Sequence, residues 1–208
     1  MPSLGRLHLI TDTRPGRDPL AVLRAVLPVV HKQLVVQVRV EDCATDRQTY
    51  ELTRQVLALV RPYRVPCLVN DRLHVALATG AAGGHVGADD LPVAAAREVL
   101  GPTAVLGATA REPATALAAV TAGASYLGVG PCRVTATKDG LPPPIGAAGV
   151  RAVVESVEVP VIAIGGVTAA DVPELRAAGA YGVAVVGALS GATDPARAAA
   201  ELVRALTC

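Results

Sequence analysis

The chain has 208 residues, 51% of them hydrophobic and 2% aromatic, with neither Phe nor Trp. Its 19 Lys and Arg against 18 Asp and Glu leave a formal charge of +1, which supplies no bulk field for a polyanion, and the missing rings remove the stacking platforms of nucleic-acid binders. Cys43, Cys67, Cys132 and Cys208 form no CxxC pair, the first apolar run is too short for a signal peptide, and no run approaches the roughly twenty residues of a membrane span, so the expectation is a cytoplasmic protein with one domain over residues 1–208.

In chain order, Leu7–Thr11 is the first β-rich run and Asp12 follows it. Asp18-Pro19 reads as a cap and first helical residue ahead of Leu20, Leu23 and Leu27, with Pro28 expected to end or kink that helix. In the second run, Leu34–Val40, Gln37 and Arg39 alternate with Val36, Val38 and Val40. Period two puts this polar pair on one face, with Glu41 continuing the phase. Leu52, Val56, Leu59 and Val60 mark a second helix. Further β-rich runs are Pro66–Asn70, Gly83–Gly87, Ala104–Thr109, Tyr126–Gly130, Pro160–Gly165 and Tyr181–Gly187, separated by Ala/Leu-rich segments. Several are continuously apolar, as parallel strands covered on both faces are. About eight βα units in roughly 200 residues predict an α/β fold, a single (β/α)8 TIM barrel. An open doubly wound sheet is the alternative, weakened because no GxGxxG follows the first strand.

Barrel enzymes carry their chemistry at the C-terminal ends of the strands. Polar residues and glycines recur there: Asp12, Gln37, Arg39, Asn70, Asp71, Asp89, Asp90, Thr109, Gly165, Gly166 and Gly187. Asp71 and Asp90 follow neighbouring strands, so both carboxylates suit one magnesium ion; equally, each suits the cap of the next helix. Arg39 suits a phosphate or a buried ion pair. After the sixth strand, Thr135, Thr137 and Lys138 precede Pro142–Pro144. That stretch reads either as donors and a cation for a phosphate or as a polar surface loop. The three prolines would make a stiff hinge for a lid. Gly165-Gly166 and Val186-Gly187 offer backbone N–H groups where barrels often bind phosphate, although turns use Gly-Gly too. Thr168 is placed to cap the following helix. His8 and His85 fall inside strands and are expected to be satisfied there, with His31 and His74 on the surface; no nucleophile motif accompanies them. One metal site, one Arg/Lys-lined polyanion site and a second backbone phosphate site imply two phosphorylated substrates or one phosphorylated at both ends. A diphosphate leaving group held by magnesium and Lys138 needs no general base.

The ordered set Gln37-Val-Arg39, Val69-Asn70-Asp71-Arg72, His85-Val-Gly87-Ala-Asp-Asp90, Gly128-Val-Gly130-Pro131, Thr135-Ala-Thr137-Lys138 and Ala163-Ile-Gly165-Gly166 resembles the thiamine-phosphate synthase family. The resemblance runs from LHLITD to GVAVVGAL. It implies a barrel enzyme that joins an aminopyrimidine diphosphate to a thiazole phosphate, releasing diphosphate. By that resemblance Gln37, Arg39, Asn70 and Lys138 hold the pyrimidine diphosphate, and Asp71 and Asp90 bind Mg2+. Thr135, Thr137, Gly166, Val186 and Gly187 take the thiazole phosphate, and Thr109 stands where the family has a serine near the diphosphate. Lys138, Arg39 and Thr109 are then the catalytic set, and a homo-oligomer is possible. The chain departs from the family pattern at Glu41, Ala88, Arg133 and Gly187, where Lys, Gln, an aromatic and Ser are usual. Arg133 is either a replacement cation or an exposed arginine. A thiazole phosphate isomerase and a non-catalytic binder of phosphorylated heterocycles are the other functions such a barrel admits.

Overall fold

Eight short, mostly apolar runs form eight parallel strands, and two-sided burial is the reason apolar residues dominate them. The computed structural model of the protein describes residues 4–137 and 140–207. The strands are β1 Leu7–Ile10, β2 Leu34–Val38, β3 Cys67–Asn70, β4 Gly83–Val86, β5 Val105–Ala110, β6 Tyr126–Val129, β7 Val161–Ile164 and β8 Gly182–Val185. Each pairs in parallel with the next, and β8 closes on β1 with His8 opposite Ala184. The open-sheet alternative is thereby excluded. Alternate residues such as Leu9, Val36, Val38, Leu106 and Val183 pack outward under the helices, while Val35, Leu68, Val105, Tyr126, Ile162 and Ala184 fill the barrel.

The helices among the described residues are α1 Pro19–Val30, α2 Asp46–Val60, α3 Leu73–Thr79, α4 Val93–Leu100, α5 Pro113–Thr121, α6 Gly146–Val154, α7 Val172–Ala177, α8 Gly187–Ser190 and α9 Pro195–Thr207. Asp18 caps α1 as its sequence suggests, its carboxylate accepting from the Leu20 and Ala21 amides at 3.0 Å each. Pro28 does not end this helix, which continues to Val30. Pro28 and Arg24, whose carbonyl would have received the missing N–H, both lie on the exposed side, where water replaces the bond. A capping box that the apolar periodicity does not reveal starts α2: Thr45 Oγ1 accepts from Gln48 N, and the Gln48 side chain accepts from Thr45 N. Thr49 and Thr53 join Val56, Leu57 and Val60 on its buried stripe, each hydroxyl bonded to the carbonyl four residues back.

β1 and β2 stop one and two residues short of their predicted ends. There the Thr11 hydroxyl substitutes for the ladder, donating to the Arg39 carbonyl at 2.6 Å and accepting from the Arg39 amide at 2.8 Å. The backbone of Arg39 is therefore held firmly while its side chain turns to the mouth of the barrel.

Candidate active site

A cavity of about 820 Å³ occupies the C-terminal mouth of the barrel. Ten of the predicted substrate and metal residues line it with Gly187: Gln37, Arg39, Asn70, Asp71, Asp90, Thr109, Thr135, Thr137, Gly166 and Val186. They come from β2, β3, β5 and the segments after β2, β3, β4, β6, β7 and β8. Lys138 lies outside the described residues.

On the β2–β3 side, the Gln37 amide donates to Asn70 Oδ1 at 2.6 Å, which orients both side chains. Arg39 is mostly buried, with Glu41 3.7 Å away. Glu41 is anchored by its amide to Thr13 Oγ1 and lies off the cavity wall, so its negative charge acts on Arg39 rather than facing a ligand. Asp71 holds a positive φ of 60° at the end of β3, an uncommon conformation for a non-glycine residue. Its amide bonds the His85 carbonyl at 2.8 Å, which ties the β3 and β4 ends together. Asp90 closes the turn after β4 by accepting from the Gly87 amide at 2.7 Å. That is a loop cap; the residue at the N-cap of α4 is Pro92. Asp89 also borders the cavity.

The segment after β6 is seated by a glycine pair. Cys132 and Arg133 amides bond the Ile164 and Gly165 carbonyls at 2.8 and 2.9 Å, extending the β6–β7 pairing beyond the strands. Gly165 and Gly166 both have positive φ, and a Cβ on Gly166 would stand 2.6 Å from the Val134 carbonyl oxygen. The segment therefore presses directly on bare backbone. Thr135 and Thr137 hydroxyls lie 3.1 Å apart. Arg14 donates to the Ala136 carbonyl between them while clasping Asp12. The Thr137 methyl is 3.3 Å from where a Cβ on Gly187 would be, so the two loops meet with no side chain between them.

One open alternative is decided and one expectation changes. Arg133 is no replacement cation: it lies off the cavity wall and pairs with Asp171 at 2.9 Å and with Glu174, at the start of α7. Thr168 does not cap α7 either. Its amide and hydroxyl both donate to Asp171 Oδ2, at 2.9 and 2.7 Å, because the carboxylate follows it by three residues and is the better acceptor.

Sequence reasoning missed Arg111. It lines the cavity two residues beyond Thr109, donating from Nε to the Gly130 carbonyl at 3.3 Å and from Nη2 to the Pro143 carbonyl at 2.7 Å. The same period-two phase that carries Thr109 to the mouth carries Arg111 there. The floor is a buried polar group in an apolar setting. His85 Nδ1 is 3.0 Å from the Tyr126 hydroxyl and its Nε2 is 3.0 Å from Thr109 Oγ1. These rings fit only because β5 and β6 carry Gly107 and Gly128: a Cβ at Gly107 would fall inside the contact radius of both Tyr126 and His85. His85 is satisfied as expected. His8 is not, since its buried Nε2 has no hydrogen-bond partner. Burial, with His85 nearby, pushes the His8 pKa down to about 3, so the ring is neutral.

Comparison with known proteins follows the same lines as the geometry. A family model described as thiamine monophosphate synthase matches residues 7–189. The thiamine-phosphate synthase of Salinispora arenicola is 73% identical over 208 residues, covering 100% of both chains. That of Chloroflexus aurantiacus is 45% identical over 199 residues, covering 95% of this chain and 90% of its own. The solved structure of thiamine phosphate pyrophosphorylase from Pyrococcus furiosus superimposes with a TM-score of 0.86 at 34% identity, covering 97% of this chain and 95% of that one.

Proposed function

The chain belongs to the thiamine monophosphate synthase family and is a transferase that forms thiamine phosphate, and we propose that the mouth residues described above divide the work as follows. Gln37 and Asn70 spend one amide N–H and one carbonyl on each other, leaving an acceptor on Gln37 and donors on Asn70 for the pyrimidine end. Arg39 and Lys138 hold the diphosphate, with Thr109 donating to it from β5. Thr135 and Thr137, the Gly166 backbone and the Val186-Gly187 backbone receive the thiazole phosphate on the opposite side. As diphosphate leaves, the charge that develops on its oxygens is met by donors already in place, which lowers the barrier without a general base. The thiazole nitrogen then captures the pyrimidine methyl cation. Gly140, Leu141 and Pro142 border the same cavity and keep water from that cation.

The donor set suits a hard divalent cation. Asp71 and Asp90 both reach the cavity and supply only oxygen. No cluster of three or more His, Cys, Asp or Glu side chains that could close around an ion occurs among the described residues. Two carboxylates suit magnesium, which retains waters and takes substrate phosphate as ligands. When bound, magnesium would neutralise charge on the departing diphosphate. Asp90 is oriented for this by the Gly87 amide.

The observation that carries this reading is the convergence of Gln37, Arg39, Asn70, Asp71, Asp90, Thr109, Thr135 and Thr137 on one cavity. The test is to mix the protein with magnesium, aminopyrimidine diphosphate and thiazole phosphate, following diphosphate release and identifying the product by mass. Thiamine phosphate is expected. Tight binding of either substrate with no product would leave a binding protein instead.

A further inference from the structure

One carboxylate stands behind the cavity rather than in its wall. Asp12 follows β1, its side chain is 2% exposed, and neither it nor Arg14 lines the cavity. Arg14 grips it with two parallel bonds, Nε to Oδ1 and Nη2 to Oδ2, at 2.8 Å each. Such a fork fixes the plane of the guanidinium as well as its position. The remaining nitrogen, Nη1, crosses to the segment after β6 and donates to the Ala136 carbonyl at 3.1 Å. On the other side, the Ser190 hydroxyl donates to Asp12 Oδ2 at 2.6 Å. Ser190 ends α8, and its amide bonds the Val186 carbonyl at 3.0 Å. Arg17 braces this end, donating to the Ser190 carbonyl at 3.0 Å with its Nε 3.7 Å from Asp12. A continuous line of polar contacts thus runs from the segment after β6, through the segment after β1, to the segment after β8. Withdrawing an ion pair from water adds little net stability even when the pair is well made. What this pair secures is a geometry.

We propose that Asp12 and Arg14 are positioning residues that set the spacing between the Thr135–Thr137 segment and the Val186-Gly187 backbone, and through it the affinity for the thiazole phosphate. This rests on the reading of those two segments as the place where that substrate's phosphate is received. Ala136 lies between the two threonines, and Ser190 is bonded to Val186, so each end of the line of contacts stops beside a group that would meet the phosphate. The two segments touch directly where the Thr137 methyl would be 3.3 Å from a Cβ on Gly187. With glycine on one side, that contact alone leaves their spacing loose. A phosphate that takes donors from two loops is held well only when both sets reach hydrogen-bond distance together. On the β2–β3 side, Gln37 and Asn70 are oriented by each other and take no part in this line.

The test is initial-rate kinetics on the wild type, Arg14→Ala, Arg14→Lys and Ser190→Ala, with each substrate varied in turn at saturating levels of the other. Arg14→Ala removes both links. Arg14→Lys keeps a cation for Asp12, but one ammonium replaces the fork and the reach to Ala136 is lost. It also carries the test if alanine, by leaving the buried carboxylate without its main partner, prevents folding. Both variants should raise KM for thiazole phosphate by about ten-fold or more, the scale of losing a charge-assisted hydrogen bond. Over the same series, kcat and KM for the pyrimidine diphosphate should change by no more than about two-fold. Ser190→Ala should move the thiazole phosphate KM in the same direction by a smaller factor, since Arg17 still holds the Ser190 carbonyl. A folded Arg14→Lys whose thiazole phosphate KM is unchanged overturns the proposal. So does one in which both KM values rise alike or kcat alone falls, because a general loosening of the barrel would produce either. A wild type that makes no thiamine phosphate overturns the underlying function instead, and shows it before any variant is compared.

Discussion

Among single residues, Arg111 and Asp12 do the most at a distance from the reacting atoms. Arg111 spans the Gly130 and Pro143 carbonyls, so one guanidinium ties the end of β6 to the proline-rich segment beyond the threonines. Arg111→Ala should lower kcat/KM by about ten- to a hundred-fold, the scale of losing charge-assisted hydrogen bonds, with a smaller effect on melting temperature. Arg111→Lys keeps the charge but not the fork, and steady-state kinetics should place it closer to alanine than to wild type. Asp12 is a different case. The Arg14 guanidinium, helped by the Ser190 hydroxyl and opposed by burial, holds its carboxyl well below the usual carboxylate range. The unfolded chain therefore takes up the proton first. The stability Asp12 contributes is complete above its ordinary pKa of 3.8 and is lost as pH falls below that value towards the folded one. Urea midpoints of wild type and Asp12→Asn should differ most at neutral pH and converge on acidification; a gap that widened in acid would contradict this.

At the scale of elements, α1 continues through a proline that its own sequence marks as a stop. Restoring the lost N–H with Pro28→Ala should raise the urea midpoint by the equivalent of about 1–2 kcal/mol, being the interior proline penalty less the entropy proline removes from the unfolded chain. The loop after β6 should be less forgiving. Gly166→Ala, with φ at 68° and Val134 in the way, should displace that loop and raise KM for thiazole phosphate by at least about ten-fold, readable in initial rates. Elements were legible where one physical signal dominates. Two-sided burial makes β1 to β8 predominantly apolar, and Asp18-Pro19 announces α1. The buried stripe of α2 was less legible, since Thr49 and Thr53 read as polar until their hydroxyls are seen bonded within the helix. Strand-end phase located the residues of the cavity wall well, because alternation on a strand is rigid. It could not find the partners of Arg133, which sit some forty residues later on α7, nor the vacancy at His8 Nε2, since both depend on side chains brought together only by closure of the barrel.

For the whole molecule, the apolar core lies between strands and helices and the carboxylates lie at one end. Removing metal should therefore separate activity from stability. Chelation should abolish diphosphate release while leaving the melting temperature of the ligand-free protein within about a degree, because an ion held at the cavity mouth by Asp71 and Asp90 stands outside the apolar core. A large drop on chelation would place a structural ion elsewhere. Barrel closure also joins the two ends of the chain. The Tyr181 hydroxyl bonds the Leu4 carbonyl, Arg6 lies over the Tyr181 ring, and the Val183 amide bonds the Arg6 carbonyl, so the amino-terminal segment is held by β8. The floor of this closed structure has one last property. The chain has four tyrosines and no tryptophan, and of the four only Tyr126 is fully buried, between His8 and His85 beneath the cavity. A rigid, asymmetrically packed phenol dominates near-ultraviolet circular dichroism, so the dichroic band of the native protein reports mainly on the bottom of its own cavity. Filling that site can be followed optically, without a label.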